Sequence, residues 1–156
     1  MIVVPTVRLA TAADAAGIAA MSRDAIEQGL GWSWTRGRVL RSIHDRATNV
    51  AVVQEREALL GFGIMQYGDE KAHLSLLAVL AARRRTGLGS LLLAWLEKSA
   101  VTAGIERIQL EARVDNPDAV RFYRAQGYRE TGSVAGYYNG VLDAVRLEKA
   151  LRDLAA

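Results

Sequence analysis

The stretch Leu74 to Ala94, LSLLAVLAARRRTGLGSLLLA, constrains the fold of this chain more than any other. It opens with an apolar run, Leu74, Leu76, Leu77, Val79 and Leu80, whose length and composition predict a buried strand. Hydrophobicity stops at Arg83, Arg84 and Arg85, and Thr86-Gly87-Leu88-Gly89 follows at once. A helical pattern then takes over, with Leu88, Leu92, Trp95, Leu96 and Ser99 on one face. A strand that turns through a basic, glycine-rich loop into a helix is a physical device for holding phosphate. First-turn N–H groups lack intrahelical partners, the helix dipole adds partial positive charge, and glycine admits a ligand close to the backbone. Neighbouring arginines add charge-assisted, often bidentate hydrogen bonds. The competing reading is a plain strand–helix connection with solvated arginines.

Two well-known phosphate loops are excluded here. No Lys-Ser or Lys-Thr follows the glycines, so the P-loop pattern G-x-x-x-x-G-K-S/T is absent. Gly87 and Gly89 have no third glycine at the offset of the dinucleotide fingerprint. What stands is Arg84-Arg85-Thr86-Gly87-Leu88-Gly89, or R-x-x-G-x-G.

A chain of 156 residues predicts one domain, 1–156, with room for a sizeable core. No run reaches the roughly 18 to 20 apolar residues of a membrane-spanning helix. The start, MIVVPTVRLA, reads as a first strand rather than a signal peptide. Cysteine is absent, which removes disulfides, thiolate metal sites and a cysteine nucleophile. His44 and His73 lie too far apart for a local metal motif, so no metal is expected. A cytoplasmic location is the expectation from this usage. The net charge of +3 could suggest nucleic acid, but outside Arg83–Arg85 basic residues are scattered among acidic ones without interleaved aromatics. One basic cluster fits a small polyanionic ligand better than a long phosphate backbone or a membrane surface.

In chain order, Val3 to Leu9 predicts a strand, and Thr11 with Asp14 a capped helix start. A helix is expected over Ala13 to Gln28, stopped by Gly29. The loop Gly31-Trp32-Ser33-Trp34-Thr35 leads to a second helix at about Arg36 to Arg46. Its tryptophans, Trp32 and Trp34, read equally as a lid on the core or as an acceptor-binding wall. Val50–Gln54 and Leu59–Tyr67 predict a hairpin in which Gly61 and Gly63 mark a bulge or close backbone approach. After the long helix, Gly104 caps it and Ile105 to Val114 alternates as a strand, with Ile108, Leu110, Ala112 and Val114 on one side. Asn116-Pro117 starts another helix, running to Gln126 and ending at Gly127. Tyr128–Tyr138 and Val141–Leu151 form the last hairpin around a type I′ Asn139-Gly140 turn. The order, strand–helix–helix–three strands–helix–strand–helix–two strands, predicts an α+β fold with a mixed, mainly antiparallel sheet.

That order, the R-x-x-G-x-G loop and the segment Asn116 to Tyr128 together resemble the GNAT superfamily of N-acetyltransferases along nearly the whole chain. Asn116-Pro117-Asp118-Ala119-Val120-Arg121-Phe122-Tyr123-Arg124-Ala125-Gln126-Gly127-Tyr128 matches the family signature N-x-x-A-x-x-F/L-Y-x-x-x-G-F/Y at each defined position. The resemblance implies the GNAT fold, acetyl-CoA as cofactor, and acetyl transfer to an amine. It implies that the backbone from Arg84 through Arg85, Thr86, Gly87, Leu88 and Gly89 to Ser90 holds the CoA pyrophosphate. The edge of Ala78, Val79 and Leu80 would pair with the pantetheine arm, and Asn116 and Tyr123 would lie near the thioester. The sequence departs from the family pattern at Ala81, where many members carry proline, and at Arg85, often glycine or another residue. Neither change removes a needed N–H.

The chemistry asks for two proton transfers. A free α-amino group titrates near pH 8 and lysine at about 10.4, so the amine must lose a proton before it attacks. The departing thiolate must gain one. By resemblance Tyr123 serves as the acid. Leu110-Glu111-Ala112-Arg113-Val114-Asp115-Asn116 is similar to the L-E-V-R-x-S-N stretch of the ribosomal-protein and N-terminal-alanine branch, whose glutamate is the proposed base. Gly136-Tyr137-Tyr138 and Asp143-Ala144 resemble further segments of that branch. The alternative for Glu111 is a solvated strand carboxylate paired with Arg107 or Arg113; His73 is the alternative base. Tyr137 and Tyr138 read as hairpin packing or as acceptor contacts. The expected function is direct acetyl transfer to a primary amine, a protein N-terminus or a small molecule. Alternatives are a small-amine or antibiotic-type acceptor and a silent acyl-CoA-binding module. A homodimer is common in such folds.

Overall fold

The computed structural model describes residues 4–151, and its element order is the expected one. Strand β1 (Thr6–Leu9), helices α1 (Ala15–Ala25) and α2 (Arg36–His44), and strands β2 (Thr48–Glu55), β3 (Ala58–Tyr67) and β4 (Lys71–Val79) come first. Helix α3 (Leu88–Thr102), β5 (Arg107–Arg113), α4 (Pro117–Ala125), β6 (Arg129–Tyr138) and β7 (Leu142–Ala150) follow. The strands make one sheet in the order β1-β2-β3-β4-β5-β7-β6, antiparallel except for the β4–β5 pair. Each face is covered. Leu92, Leu93 and Leu96 of α3 build one core with Ile108, Leu110 and Leu147. Ile18 of α1 and Val39 of α2 build the other with Val52, Phe62 and Ile64. Among the described residues no helix is long and apolar enough to cross a membrane.

Two features of β4 shape the centre of the molecule. Leu74 pairs with Met65 and Leu76 with Ile64, so Ser75 is an extra residue on β4, a β-bulge. An extra residue reverses the side-chain alternation of a strand. Ala72 and Leu74 therefore join the α3 core, while Leu76 and Ala78 join the α1–α2 core. The β4–β5 ladder also ends here, at Leu74 opposite Leu110. Beyond that point the two strands part.

The glycines of β3 serve close approach, as expected. A Cβ on Gly61 would stand 2.7 Å from the Ala78 carbonyl oxygen, and one on Gly63 2.7 Å from Leu96 Cδ1. At the tip of the last hairpin Asn139 (φ +54°) and Gly140 (φ +73°) are both left-handed, and Val141 N–H donates to Tyr138 O at 3.1 Å. That is the type I′ turn.

Several boundaries move. The first strand begins at Thr6, and Val3 lies outside the described residues. Helix α1 follows a 3₁₀ turn at Ala12–Asp14 and stops at Ala25, short of Gln28. The Ile26 and Glu27 N–H groups both return to Ser22 O at 2.9 Å, and the Glu27 side chain turns into the next loop. The central strand reaches back to Lys71 and alternates rather than being buried throughout. In α3 the buried set is Leu88, Leu92, Leu93, Leu96, Glu97 and Ala100. Glu97 accepts from the Tyr128 hydroxyl at 2.8 Å and pairs with Lys149 at 3.1 Å. Val114 is exposed because β5 ends at Arg113. Helix α4 ends at Ala125, and Gly127 at φ +94° turns the chain.

Candidate active site

Where β4 and β5 part, a cavity of about 580 Å³ opens, walled from both faces of the sheet. Ala25 and Ile26 reach it from one side; Ala119, Phe122 and Tyr123 of α4 reach it from the other. One end is basic, lined by Arg83, Arg84, Arg85 and Arg121 with Gly87, Gly89 and Ser90. The loop is built locally. A 3₁₀ turn over Ala81–Arg83 leads in, the Thr86 hydroxyl donates to Arg83 O, and Gly87 at φ +86° precedes the first turn of α3. The N–H groups of Leu88, Gly89 and Ser90 lie in that first turn, where no intrahelical acceptor exists. No heavy atom comes within 4 Å of a Cβ placed on Gly87, so its backbone is open to a ligand. Free amides, a helix N-terminus and arginines at one point are the donor set a pyrophosphate requires. Arg85 has φ +62°, a left-handed conformation that disfavours any residue but glycine, asparagine or aspartate.

Of the residues expected along a cofactor, Ala78, Val79, Arg84, Arg85, Gly87, Gly89, Ser90, Asn116 and Tyr123 line this cavity. The side chains of Leu80, Thr86 and Leu88 do not. Leu88 turns into the core, Thr86 closes the loop on itself, and Leu80 is partly exposed with its N–H on Leu60 O at 2.8 Å.

Tyr123 comes to the cavity from α4, whose start is fixed by Asn116 Oδ1 accepting from Ala119 N–H at 3.2 Å. Its ring packs edge-on to Phe122 and Tyr128, with centroids at 5.1 and 5.7 Å. Burial, and then the neighbouring Tyr138, pushes its phenol well above the ordinary tyrosine range. It stays protonated at neutral pH.

Glu111 lies on the same cavity with its side chain only 2% exposed. Burial would push its carboxyl up, but hydrogen bonds from His73 and Arg146, then the His73 charge and Gln109, outweigh it and hold the pKa at about 2. His73 Nε2 is 2.5 Å from Oε1, while Arg146 Nε at 2.9 Å and Gln109 Nε2 at 3.1 Å donate to Oε2. Glu111 is thus neither solvated nor paired with Arg107 or Arg113. Arg113 binds Asp115 and donates to Ile26 O at 2.9 Å and Gln28 O at 2.8 Å, tying the end of α1 to β5.

A second cavity of about 350 Å³ adjoins the first. Ile26, Ser75, Leu76, Tyr137 and Tyr138 line both, so the two share a wall at the β4 bulge and the last hairpin. Glu27, Trp34, Arg38, His73 and Asn139 belong to the second alone. The Tyr137 and Tyr138 rings meet edge-on at 4.9 Å, and the Tyr138 hydroxyl donates to Glu111 O at 3.3 Å. Burial and then the Glu111 carboxylate push the Tyr137 phenol up to about 12. Trp34 is buried against the α1–α2 core with the Arg38 guanidinium 3.7 Å above its ring. Trp32 lines neither cavity: it is 46% exposed, and its indole N–H donates to Ala19 O at 3.2 Å.

Sequence reasoning missed Glu27. Its carboxylate accepts from Ser22 Oγ at 3.0 Å, Ser33 N–H at 2.7 Å, Ser33 Oγ at 2.6 Å and Trp34 N–H at 3.1 Å. It organises the whole α1–α2 connection from one buried point. It also missed Ser75, Gln109 and Arg146, polar residues in apolar strands whose period alone placed them on the face opposite the α3 core.

Residues 19–128 match the model of the acetyltransferase (GNAT) family, and the chain belongs to that family, which generally uses acetyl-CoA. An aminoalkylphosphonate N-acetyltransferase of Salmonella typhimurium is 42% identical over 55 residues, 35% of this chain. The match spans only 36% of that relative's length. An uncharacterized N-acetyltransferase of Methanocaldococcus jannaschii is 34% identical over 109 residues, 69% of each chain. Among solved structures, the ribosomal-protein-S18-alanine N-acetyltransferase from Escherichia coli superposes with a TM-score of 0.81 at 22% identity, covering 95% of this chain and 94% of that one. At that identity the likeness shows the fold.

Proposed function

We propose that this chain is an acetyl-CoA-dependent N-acetyltransferase that passes acetyl directly to a primary amine, with a protein or peptide α-amino group as the leading acceptor class. The observation that carries the reading is the shared wall: a basic-ended cavity and a second cavity meet at Ser75, Tyr137 and Tyr138, with Tyr123 and Glu111 on the first. Acetyl-CoA supplies the activated acetyl thioester. The Arg84–Ser90 backbone and the basic end of the cavity suit its pyrophosphate, and the edge of β4 at Ala78 and Val79, beyond the end of the β4–β5 ladder, suits its pantetheine amides. Asn116 holds the start of α4, which aims Tyr123 at the place where sulfur leaves. Tyr123 keeps the proton that the leaving thiolate needs, and the cluster at Glu111 receives the proton the ammonium gives up. Without a cysteine there is no thiol to carry acetyl as a covalent intermediate, which favours transfer within a ternary complex.

The second cavity is also of a size for a small amine, and the name of the Salmonella relative makes such an acceptor the runner-up. CoA thiol release measured against peptides of varied N-termini, N-terminally blocked lysine peptides and a panel of small amines separates the readings. Release with free N-terminal peptides supports the first, release with small amines alone supports the second, and CoA binding without release under any amine leaves a regulatory acyl-CoA-binding module.

A further inference from the structure

Resting on the acetyltransferase reading, we propose that the proton taken from the ammonium is held on Nδ1 of His73, and that Glu111 and Ser75 are the residues that position it. Glu111 is poorly arranged to be the acceptor itself. Both carboxylate oxygens are engaged, one by His73 and the other by Arg146 and Gln109, and the side chain is 2% exposed. A proton arriving there would displace a hydrogen bond and stand against the Arg146 guanidinium. The His73 side chain is 31% exposed and lines the second cavity.

The contact with Glu111 fixes which nitrogen is available. An ionised carboxylate only accepts, so Nε2, at 2.5 Å from Oε1, carries the hydrogen. The lone pair of the neutral ring is then on Nδ1, which faces Ser75 Oγ at 3.3 Å. Ser75 is the bulge residue of β4 and lines both cavities. With the hydrogen on Nε2, the Ser75 hydroxyl is the donor to Nδ1. A carboxylate behind an imidazole, with a hydroxyl in front, is a base whose orientation and tautomer are set before substrate arrives.

The transfer balances without any further reactant. The ammonium N–H bond breaks and its proton passes to Nδ1, directly or by exchange through the Ser75 hydroxyl, leaving the amine lone pair to attack the acetyl carbon. The C–S bond breaks, its electron pair goes to sulfur, and Tyr123 protonates the thiolate. The second amine proton returns Tyr123 to its phenol form through solvent, and the imidazolium releases the first to solvent before the next turnover. The charged and titratable groups around His73 are few. Glu111 of β5 is in direct contact with Arg146 of β7 behind it, and Lys71 of β4 is occupied by Gln109 at 2.7 Å. Glu27, Arg38, Tyr137 and Tyr138 line the same cavity. Glu27 is filled by Ser22, Ser33 and Trp34, and Arg38 lies over Trp34, so Glu111 is the carboxylate that answers the imidazolium.

Two measurements test this. Nitrogen NMR of the intact chain carrying His44→Gln leaves His73 as the single histidine; the neutral ring should be the Nε2–H tautomer, and an Nδ1–H tautomer overturns the proposal on its own. The second is kcat/KM against pH for wild type, His73→Gln and Glu111→Gln, with CoA affinity checked by calorimetry. His73→Gln should lose on the order of 10²-fold or more at pH 7 and lose the acid limb of the profile. Glu111→Gln should be slower but keep an acid limb. A limb that survives in His73→Gln and vanishes in Glu111→Gln assigns the proton to Glu111 and overturns the proposal. A wild-type chain that turns over no amine overturns the acetyltransferase reading instead, and the tautomer measurement still reports the His73–Glu111 geometry separately.

Discussion

The two ends of the candidate active site are built in opposite ways. The basic end is one continuous piece of chain, Ala81 to Ser90, in which a 3₁₀ turn, two glycines and the start of α3 present backbone amides beside arginines. The end at Glu111, where we propose the proton is handled, is assembled from β4, β5 and β7: His73 and Glu111 are 38 positions apart, Arg146 and Glu111 35. A site made of backbone is written in the placement of glycines and helix starts. A site made of side chains is written in strand register, and register is a property of the folded sheet. Here one bulge at Ser75 and the end of the β4–β5 ladder bring the two together.

Substitutions should separate the two ends. The largest effect is expected at the loop. Gly89→Asp puts a carboxylate into the first turn of α3 and a Cβ 3.3 Å from the Phe122 ring. Like charge against the pyrophosphate costs several kcal/mol, so CoA affinity by calorimetry should fall on the order of 10²-fold or more. Near wild-type affinity would remove the loop from the cofactor site. Next, Tyr123→Phe should lower kcat by about 10²-fold while CoA affinity stays within about 2-fold, since the ring packing is kept and the proton is lost. A kcat that holds across pH makes Tyr123 a packing residue.

Glu27→Ala should act on the acceptor side alone. Removing a carboxylate that satisfies Ser22, Ser33 and Trp34 leaves those donors unpaired at about 1 to 3 kcal/mol each where they stay buried. The acceptor KM should rise by about 10-fold, equivalent to about 1.4 kcal/mol, with CoA affinity unchanged. A parallel loss of CoA affinity would show that the α1–α2 connection supports both ends. The smallest effect concerns stability and pH. The folded Glu111 carboxyl lies at about 2 against an ordinary 4.5, so its contribution is present above about pH 4.5 and lost as pH falls towards 2. The difference in Tm between wild type and Glu111→Gln should therefore narrow across that window. A constant difference would mean that its hydrogen bonds do not depend on ionisation.

Much of the fold was legible because its signals are local. Asn116-Pro117 caps and starts α4, Asn139-Gly140 closes the last hairpin, and Gly61 and Gly63 mark where β3 meets β4 and α3. Of the candidate site, the sequence singled out the R-x-x-G-x-G loop, Glu111 and Tyr123, which line one cavity. The partners of Glu111 were not. Local spacing suggested Arg107 or Arg113, both on its own strand, whereas the register across β4, β5 and β7 selects His73 and Arg146. Counted along the chain His73 stands 38 positions from Glu111, and the parallel pairing of β4 with β5, His73 opposite Gln109, is what brings the two side chains together. The aromatic loop was half legible. Both tryptophans carried the same composition signal, but Glu27 binds the Trp34 N–H and turns it towards the second cavity, leaving Trp32 over Ala19 on the surface. Nothing in the spacing of Glu27 distinguishes it from a helix-surface glutamate.

The proposed function has both substrates held at once across the shared wall, and initial rates over a grid of acetyl-CoA and amine concentrations test this most directly. With both cavities filled before acetyl moves, double-reciprocal plots at several fixed acetyl-CoA concentrations intersect, and CoA thiol appears only when amine is present, one for each N-acetyl product. Parallel plots, or thiol released in full before amine is added, would contradict direct transfer and with it the reading of the two cavities as one active site.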